Sequence, residues 1–323
     1  MPFNSLITRG EAAALVPEDA STEILKAVPE ASAVMRLARR LTDMGTKQRR
    51  LPIMNALATA YFVSGDTGLK QTSEVSWANK FIEAEELAVI IPIAEAVLDD
   101  SAFDIWAEVR PALVEAFGVA IDQAVLYGTN IPASWSTNLG GAGLVAVSTA
   151  AGNTVSAAAY TDLYEALLGE TVGGVAGSIG KLEEDGYVAT GHVAATEMKR
   201  KLRNVRSATG DPIFRTNMQD STRYDLDGAP IYFPTNGAIL AATALLISGQ
   251  WDQLVYSMRQ DITYKVLDQA VIQDAGGNTI YNLAQQDMVA LRAVMRLGFA
   301  LPNPVNRMQP TAANRAPFAV LTA

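Results

Sequence analysis

Residues 47–92 hold two long extended runs, Leu51 to Val63 and about Val75 to Ile93, separated by Ser64-Gly65-Asp66-Thr67-Gly68. Each of those five positions suits a turn, since Gly permits positive φ and Ser, Asp and Thr bond their own backbone. The pattern predicts a β-hairpin well beyond the usual strand of about five or six residues. A lone two-stranded hairpin is marginal in water, because little apolar surface offsets the entropy of ordering it. A chain carrying such a ribbon must lay it on another surface, its own or that of another subunit.

The segments around the ribbon fall into distinct patterns. Residues 1–46 read as an arm with little core of its own, punctuated by Pro17 and Pro29. Ser21 or Thr22 can cap a short helix through Ala27, and a second short segment runs from Val34 to Leu41. Residues 100–128 predict one long helix, because Phe103, Trp106, Val109, Leu113, Phe117, Ile121 and Ala124 recur at helical steps. Asp100 or Ser101 is the expected cap, Ser101 with Asp104 resembles a capping box, and Gly128 is the stop. Such a helix is about 40 Å long at ~1.5 Å per residue, and Pro111 should bend it or break one turn.

Residues 133–152 are rich in Gly, Ser and Ala and read as a loop, whereas 157–260 alternate helical and extended patterns. In that compact α/β-type region a helix is expected from Asp162 to Leu168, with a continuation to Leu182 as the longer reading. A strand follows from Tyr187 to Val193, a helix from Thr196 to Val205, and a turn into a strand over Leu226–Phe233. The apolar stretch Gly237 to Ile247 is expected to be a buried helix or strand, and 262–300 to form long strands. It is also the longest apolar stretch, too short for a bilayer, which needs about 20 residues.

Composition limits the chemistry. The chain has no cysteine, so disulfides, thiolate chemistry and Cys-based zinc sites are excluded, in keeping with a reducing cytoplasm. Its net charge of -9 argues against a loose binder of DNA, which needs a basic excess. It does not argue against a container for DNA, whose wall should not grip its contents. No cofactor is expected. His192 is the only histidine, so multi-histidine metal sites are absent; it lies in an expected strand, and no Gly-x-Ser-x-Gly elbow is present.

Gly141-Ala142-Gly143-Leu144-Val145-Ala146 matches a dinucleotide fingerprint formally, but no strand precedes it. Gly180-Lys181 lacks the other residues of a phosphate loop, and Asp225 with Asp227 lacks the remaining ligands of a calcium loop. Lys199, Arg200, Lys201, Arg203 and Arg206 form a basic cluster on an expected helix, read first as a solvated face, second as a subunit contact and third as a DNA contact.

Several segments, in order, resemble the major capsid proteins of tailed phages, whose fold is named after the phage Hong Kong ninety-seven and shared with bacterial encapsulin shells. They begin with Glu86-Leu87-Ala88-Val89-Ile90-Ile91-Pro92-Ile93 and Leu98-Asp99-Asp100-Ser101, then Ile121-Asp122-Gln123-Ala124-Val125-Leu126-Tyr127-Gly128. Next come Thr209-Gly210-Asp211-Pro212-Ile213-Phe214 and Leu226-Asp227-Gly228-Ala229-Pro230-Ile231. Ile247-Ser248-Gly249-Gln250-Trp251 leads to Met258-Arg259-Gln260-Asp261-Ile262, and Asp287-Met288-Val289-Ala290-Leu291-Arg292-Ala293 to Arg296-Leu297-Gly298-Phe299. No one segment is specific; their order and spacing over nearly the whole chain carry the resemblance.

The resemblance implies an α+β capsid fold. Its parts would be an N-terminal arm (1–46), an extended β-hairpin loop (47–92), a peripheral domain with a long spine helix (93–152 and 262–323) and an axial domain (153–261). It implies a structural protein, not an enzyme: many copies build pentamers and hexamers of an icosahedral virion shell around double-stranded DNA, assembled in the bacterial cytoplasm without a membrane. Separate scaffolding, portal and decoration proteins are the further partners it allows. No long scaffolding segment precedes the arm, so scaffolding is expected to be separate or dispensable. The alternatives are an encapsulin-like compartment and, from another class, a soluble oligomeric enzyme with a cleft in the axial domain. Some relatives crosslink neighbours through a Lys–Asn isopeptide bond; Lys70 with Asn303 or Asn306 is the only pair to suggest, and a solvated lysine with two loop asparagines is the preferred reading.

Charge is distributed unevenly. Arg36, Arg39, Arg40, Lys47, Arg49 and Arg50 face only Asp43 in their segment, whereas Glu83, Glu85, Glu86, Glu95, Asp99, Asp100, Asp104, Glu108, Glu115 and Asp122 face only Arg110 in theirs. The expectation is that the basic arm of one subunit lies against the acidic hairpin base and spine helix of a neighbour, where complementary charge sets register. Pairing within one subunit, or plain solvated faces, is the competing expectation.

Overall fold

The computed structural model describes residues 31–63, 65, 68–101, 104–170, 174–206, 224–274 and 276–323. The expected helix at Ser21–Ala27, most of the hairpin turn and the stretch 209–214 lie outside them. In chain order come α1 (Ala33–Leu37), β1 (Arg39–Arg40), β2 (Gln48–Ala56), β3 (Ser76–Glu83), β4 (Glu85–Ala94), α2 (Glu95–Asp100) and α3 (Ile105–Tyr127). Then follow α4 (Ala133–Leu139), α5 (Leu144–Ala151), β5 (Thr154–Ser156), α6 (Leu163–Leu168), α7 (Ser178–Glu184), β6 (Gly191–Ala194) and α8 (Thr196–Arg203). The rest is β7 (Asp225–Leu226), β8 (Ala229–Tyr232), β9 (Leu246–Gly249), β10 (Val255–Leu267), β11 (Val271–Gln273), β12 (Thr279–Asn282), β13 (Met288–Ala300) and β14 (Phe318–Thr322).

These strands make a four-stranded sheet in the order β1-β10-β13-β4, a six-stranded sheet in the order β5-β14-β9-β6-β8-β7, and two separate ribbons, β2-β3 and β11-β12. β6 and β9 are short runs buried along their whole length, as expected for strands covered on both faces, and their two polar side chains, His192 and Ser248, bond each other at 2.8 Å. Val193, Ile247, Phe318 and Val320 point into the main core, where Leu113, Phe117 and Ile121 of α3 meet Leu291, Met295 and Phe299 of β13. Ala194, Leu246 and Leu321 join a second cluster with Ala166 and Leu167 of α6 and Met198 and Leu202 of α8. Trp251 fixes the sheet's centre: its indole N–H donates to the Gly191 carbonyl at 2.9 Å and its ring meets Phe318 edge-on at 5.1 Å.

The arm is tied to the spine helix. A five-residue helix cannot stand alone, and α1 does not. The wholly buried Asp122 carboxylate of α3 accepts from the Ala33 and Val34 N–H groups at 2.9 and 3.0 Å and from the Ser32 hydroxyl. β1 then pairs in parallel with the start of β10, and the Leu41 and Met44 N–H groups donate to Tyr256 and Met258. Residues 32–44 thus contribute Val34, Ala38 and Met44 to buried clusters, more core than the sequence predicts for an arm.

Other expectations also change. Helix α3 starts at Ile105 and is capped by Asp104, which accepts from the Trp106 and Ala107 N–H groups, not by Asp100 or Ser101; residues 95–100 form the separate α2. Pro111 removes one N–H donor, yet α3 is assigned as a single helix across it. The run from Val75 to Ile93 is two strands, because the chain leaves the ribbon at Ala84 and β4 pairs with β13 instead. The strand in the first run stops at Ala56. Residues 133–152 are not a loop but α4 and α5, each ended by a glycine with positive φ, Gly140 and Gly152. Helix α6 ends at Gly169 without reaching Leu182, and α7 is separate. The strand expected from Tyr187 forms only at Gly191–Ala194, and within 237–247 only Leu246 and Ile247 belong to a strand. The boundary expected at 261/262 falls inside β10, and β14 lies in the six-stranded sheet, apart from β13.

Candidate assembly surfaces

Of the residues of the β2-β3 ribbon only Ile82, at its root, is buried. At its root Ile82 is fully buried, the Ala84 N–H donates to the Lys47 carbonyl at 2.8 Å, and the Trp135 indole N–H donates to the Glu83 carbonyl at 3.1 Å. Gly298 of β13 makes this approach possible: a Cβ there would stand 2.4 Å from the Glu83 carbonyl oxygen and 2.7 Å from Ile82. Beyond the root, strand alternation separates two faces. Arg49, Leu51, Ile53 and Ala78 share the half-buried one. Arg50 and Phe81, Pro52 and Asn79, and Met54 and Trp77 are opposite pairs on the exposed one. Trp77 is 69% exposed, and nearer the tip Phe62 and Leu69 are 107% and 92% exposed. The ribbon's further ties to its own subunit include a bond from the Val305 N–H to the Met54 carbonyl at 3.2 Å and one from Arg307 to the Ala58 carbonyl at 2.8 Å.

A second outward apolar surface lies at β11-β12 and the end of β10, where Val266, Val271, Ile280 and Tyr281 are exposed. Its turn is shaped by Asp274. The Asn278 side chain and the N–H groups of Asn278 and Gly276 donate to that carboxylate and hold it below its usual pKa.

The charged residues singled out by sequence divide into paired and unpaired sets. Arg40 bonds Asp43 at 3.0 Å, Arg49 donates to the Thr42 carbonyl and hydroxyl, and Arg36 lies 4.6 Å over the Tyr232 ring. Glu83 accepts from Gln48, Glu85 from the Ser134 hydroxyl, and Glu86 pairs with Arg296. Asp104 caps α3, and Glu108 sits in that helix's first turn. Arg39, Lys47, Arg50, Asp99 and Asp100 are exposed and have no side-chain ion pair among the described residues. Among the described residues, the ion pairs of Arg40 with Asp43 and of Glu86 with Arg296 do not join the one set to the other.

Asn303 and Asn306 are structurally engaged. The Asn303 amide accepts from Tyr187 and Arg315 and donates to the Arg315 carbonyl, and Asn306 donates to the Asp185 carbonyl. Lys70 is exposed in the outer part of the ribbon segment. His192 is wholly buried between the Ser248 hydroxyl and the Leu226 carbonyl, a core position. Asp227 and Gly228 both have positive φ and form the two-residue turn between β7 and β8. The glycines of the formal dinucleotide match serve packing: a Cβ on Gly143 would meet the Gly128 nitrogen at 2.6 Å. On α8, Arg200 and Lys201 pair with Glu197, while Lys199 lies 4.7 Å over Phe233. Among the described residues no group of three or more acidic or histidine side chains is arranged to hold a metal, and no helix is long and apolar enough to cross a membrane.

A family model described as the phage capsid family matches residues 12–306. The chain belongs to the phage capsid family. This capsid subunit is 29% identical over 286 residues to the major capsid protein of Staphylococcus phage 80alpha, covering 86% of this chain and 78% of that protein. It matches a solved structure from Microbacterium phage Oxtober96 with TM-score 0.81 at 32% identity, over 98% of this chain and 99% of that one. One from Mycobacterium phage Bobi gives 0.79 at 31% identity, again over 98% and 99%. The capsid of a native GTA particle, at 16% identity and TM-score 0.65 over 99% of both chains, shares the fold. The capsid subunit thus has the α+β tailed-phage capsid fold that the sequence resemblance implied, and it is a structural protein of the virion shell. Sequence reasoning missed the Asp122 clamp and the Gly298 contact; one of three acids in a helix and a glycine in an apolar strand carry no local signal of the partner each meets.

Proposed function

We propose that this subunit is a major capsid protein whose pentamers and hexamers tile an icosahedral shell around double-stranded DNA in the host cytoplasm. The observation that carries the reading is the ribbon's outward face, where Met54, Trp77 and Phe81 are exposed to solvent on strands of which only Ile82, at the root, is buried. Exposed apolar surface of this kind marks a contact site, and a second copy of the chain is the partner that the family supplies. Each contact can be modest because many neighbours share one subunit. An arm, a ribbon, a peripheral domain around the four-stranded sheet and an axial domain around the six-stranded sheet are the units of that tiling. Scaffolding, portal and decoration proteins are separate partners in this scheme. The free charges Arg39, Lys47 and Arg50 on one side and Asp99 and Asp100 on the other are its register pairs; a Lys70 crosslink to Asn303 or Asn306 is no part of it.

The test is to express the full chain, separate the products by size, image them and measure nuclease-protected DNA. Closed shells holding duplex DNA in a phage-infected host support the proposal. Closed shells filled with protein cargo and no DNA point to a compartment instead, and a small soluble oligomer under all assembly conditions refutes the shell.

A further inference from the structure

Between β13, in the four-stranded sheet, and β14, in the six-stranded one, the chain runs through a loop built around a buried arginine. Arg315 is 4% exposed. Its Nε donates to Asn303 Oδ1 at 3.1 Å, one terminal nitrogen to the Gln309 and Pro310 carbonyls at 2.8 and 3.2 Å, and the other to the Asn303 carbonyl at 3.1 Å. All of these acceptors are neutral. Burying a charge is costly unless it is hydrogen-bonded, and the rigid guanidinium fork is the side chain that can reach such a spread of acceptors at once. One residue therefore ties the loop's entry to its exit. Asp185 fixes the exit again: its buried carboxylate accepts from the Ala316 N–H at 3.0 Å and from the Asn153 amide at 2.7 Å. Its carbonyl accepts from the Asn306 amide at 2.7 Å.

The middle of this loop touches the ribbon. Among the described residues, the hydrogen bonds that reach the ribbon from the body beyond its root are those from the Val305 N–H to Met54 and from Arg307 to Ala58. Met54 lies opposite Trp77 in the ladder, about 20 Å from Gln48 at ~3.3 Å per residue. A ribbon that pivots at its root takes its angle from what holds it further out. We propose that residues 303–316 are a stay that sets the ribbon's angle, and that Arg315 is its positioning residue, acting through Val305 and Arg307. The stay joins the ribbon to the start of β14, so a shift of the six-stranded sheet against the four-stranded one also moves the exposed Trp77. It lies within one subunit and does not rest on how subunits tile.

The absence of cysteine allows pairs of nitroxide labels to be placed and the distance between them measured by pulsed electron resonance. In the unassembled full-length subunit, labels on Gln71→Cys and Asp252→Cys report the ribbon against the six-stranded sheet. Labels on Ala116→Cys and Asp252→Cys report the body alone; all three sites are exposed. Arg315→Met keeps most of the side chain's bulk and loses every donor. It should widen the ribbon distance distribution about twofold and leave the body distribution unchanged. Asn303→Gly, which accepts the positive φ of 46° at that position, should do the same. A ribbon distribution as narrow as in the parent chain, in either folded variant, overturns the proposal. Equal widening of both distributions also overturns it, because the network then only stabilises the subunit. If neither variant folds, Arg307→Ala decides: its bond to Ala58 is exposed, and its loss should still widen the ribbon distribution alone.

Discussion

Every residue of β6 and β9 in the six-stranded sheet is out of water, whereas no residue of β2 in the ribbon is buried. Both are β-structure in one chain, yet they are stabilised differently. The sheet is packed on two faces by α3 on one side and by α6 and α8 on the other. The ribbon has a hydrogen-bond ladder, a fixed root and an apolar face with nothing described against it. Burial explains why the sheet can fold within one subunit. Its lack in the ribbon locates the energy that remains to be gained when copies meet. The two regions should therefore answer mutation differently, one through the stability of the subunit and the other through assembly.

The sharpest way to break this contrast is to damage the sheet. Phe318→Ala removes a fully buried ring packed edge-on against Trp251. It should cost about 3–5 kcal/mol in urea denaturation of the unassembled subunit. A loss under about 1 kcal/mol would show that the sheet is not the stable body assumed here. Asp122→Ala comes next. It leaves the Ser32 hydroxyl and two N–H groups without their acceptor. The cost should be about 1–3 kcal/mol, with faster amide exchange at Ala33 and Val34 and slow exchange retained in β9.

A smaller effect in the sheet is tied to pH. Burial lowers the His192 pKa below its usual 6.5. The unfolded chain then takes up a proton near 6.5 while the folded chain still refuses it, so stability falls as pH drops below about 6.5. Above that pH this residue gives no slope. Denaturation midpoints from pH 5 to 8 should show the fall, and His192→Gln should flatten it.

The ribbon should give the smallest change in subunit stability, within about 0.5 kcal/mol for the exposed substitution Trp77→Ser, and yet the loss of closed shells by electron microscopy. Equal loss of stability and assembly would erase the distinction between the regions. Charge reversal at Arg39 and Arg50 to Glu should likewise leave a folded subunit that fails to close. Normal shells would remove those residues from the proposed register pairs.

The parts legible in the sequence were those with strong periodicity or strong turn chemistry. The stripe from Leu113 to Ala124 predicted α3, and the turn into a strand expected over Leu226–Phe233 is the Asp227-Gly228 turn and β8, though its pairing with β7 was not foreseen. Helices α4 and α5 were missed because they are only seven and eight residues long and lie among glycines. Their hydroxyls also bond back to the helix, as Thr137 does to Ala133 and Ser148 to Leu144, so the usual loop-forming residues are used inside helices. The break at Ala84 was invisible because β3 and β4 are both extended; only the change of partner from β2 to β13 separates them. The charged residues were found, but which of them pair within the subunit depends on contacts as distant in sequence as Glu86 with Arg296.

The glycine at 298 sets how far small motions carry. With the root clamped against β13 and only single hydrogen bonds at Met54 and Ala58 described further out, the ribbon turns as a lever about its root. A nine-residue strand reaches about 30 Å at ~3.3 Å per residue, so a tilt of about 10° at the clamp displaces the far end by about 5 Å. A methyl group at that one spot would shift the pivot, and the error would arrive magnified where the next subunit has to be met.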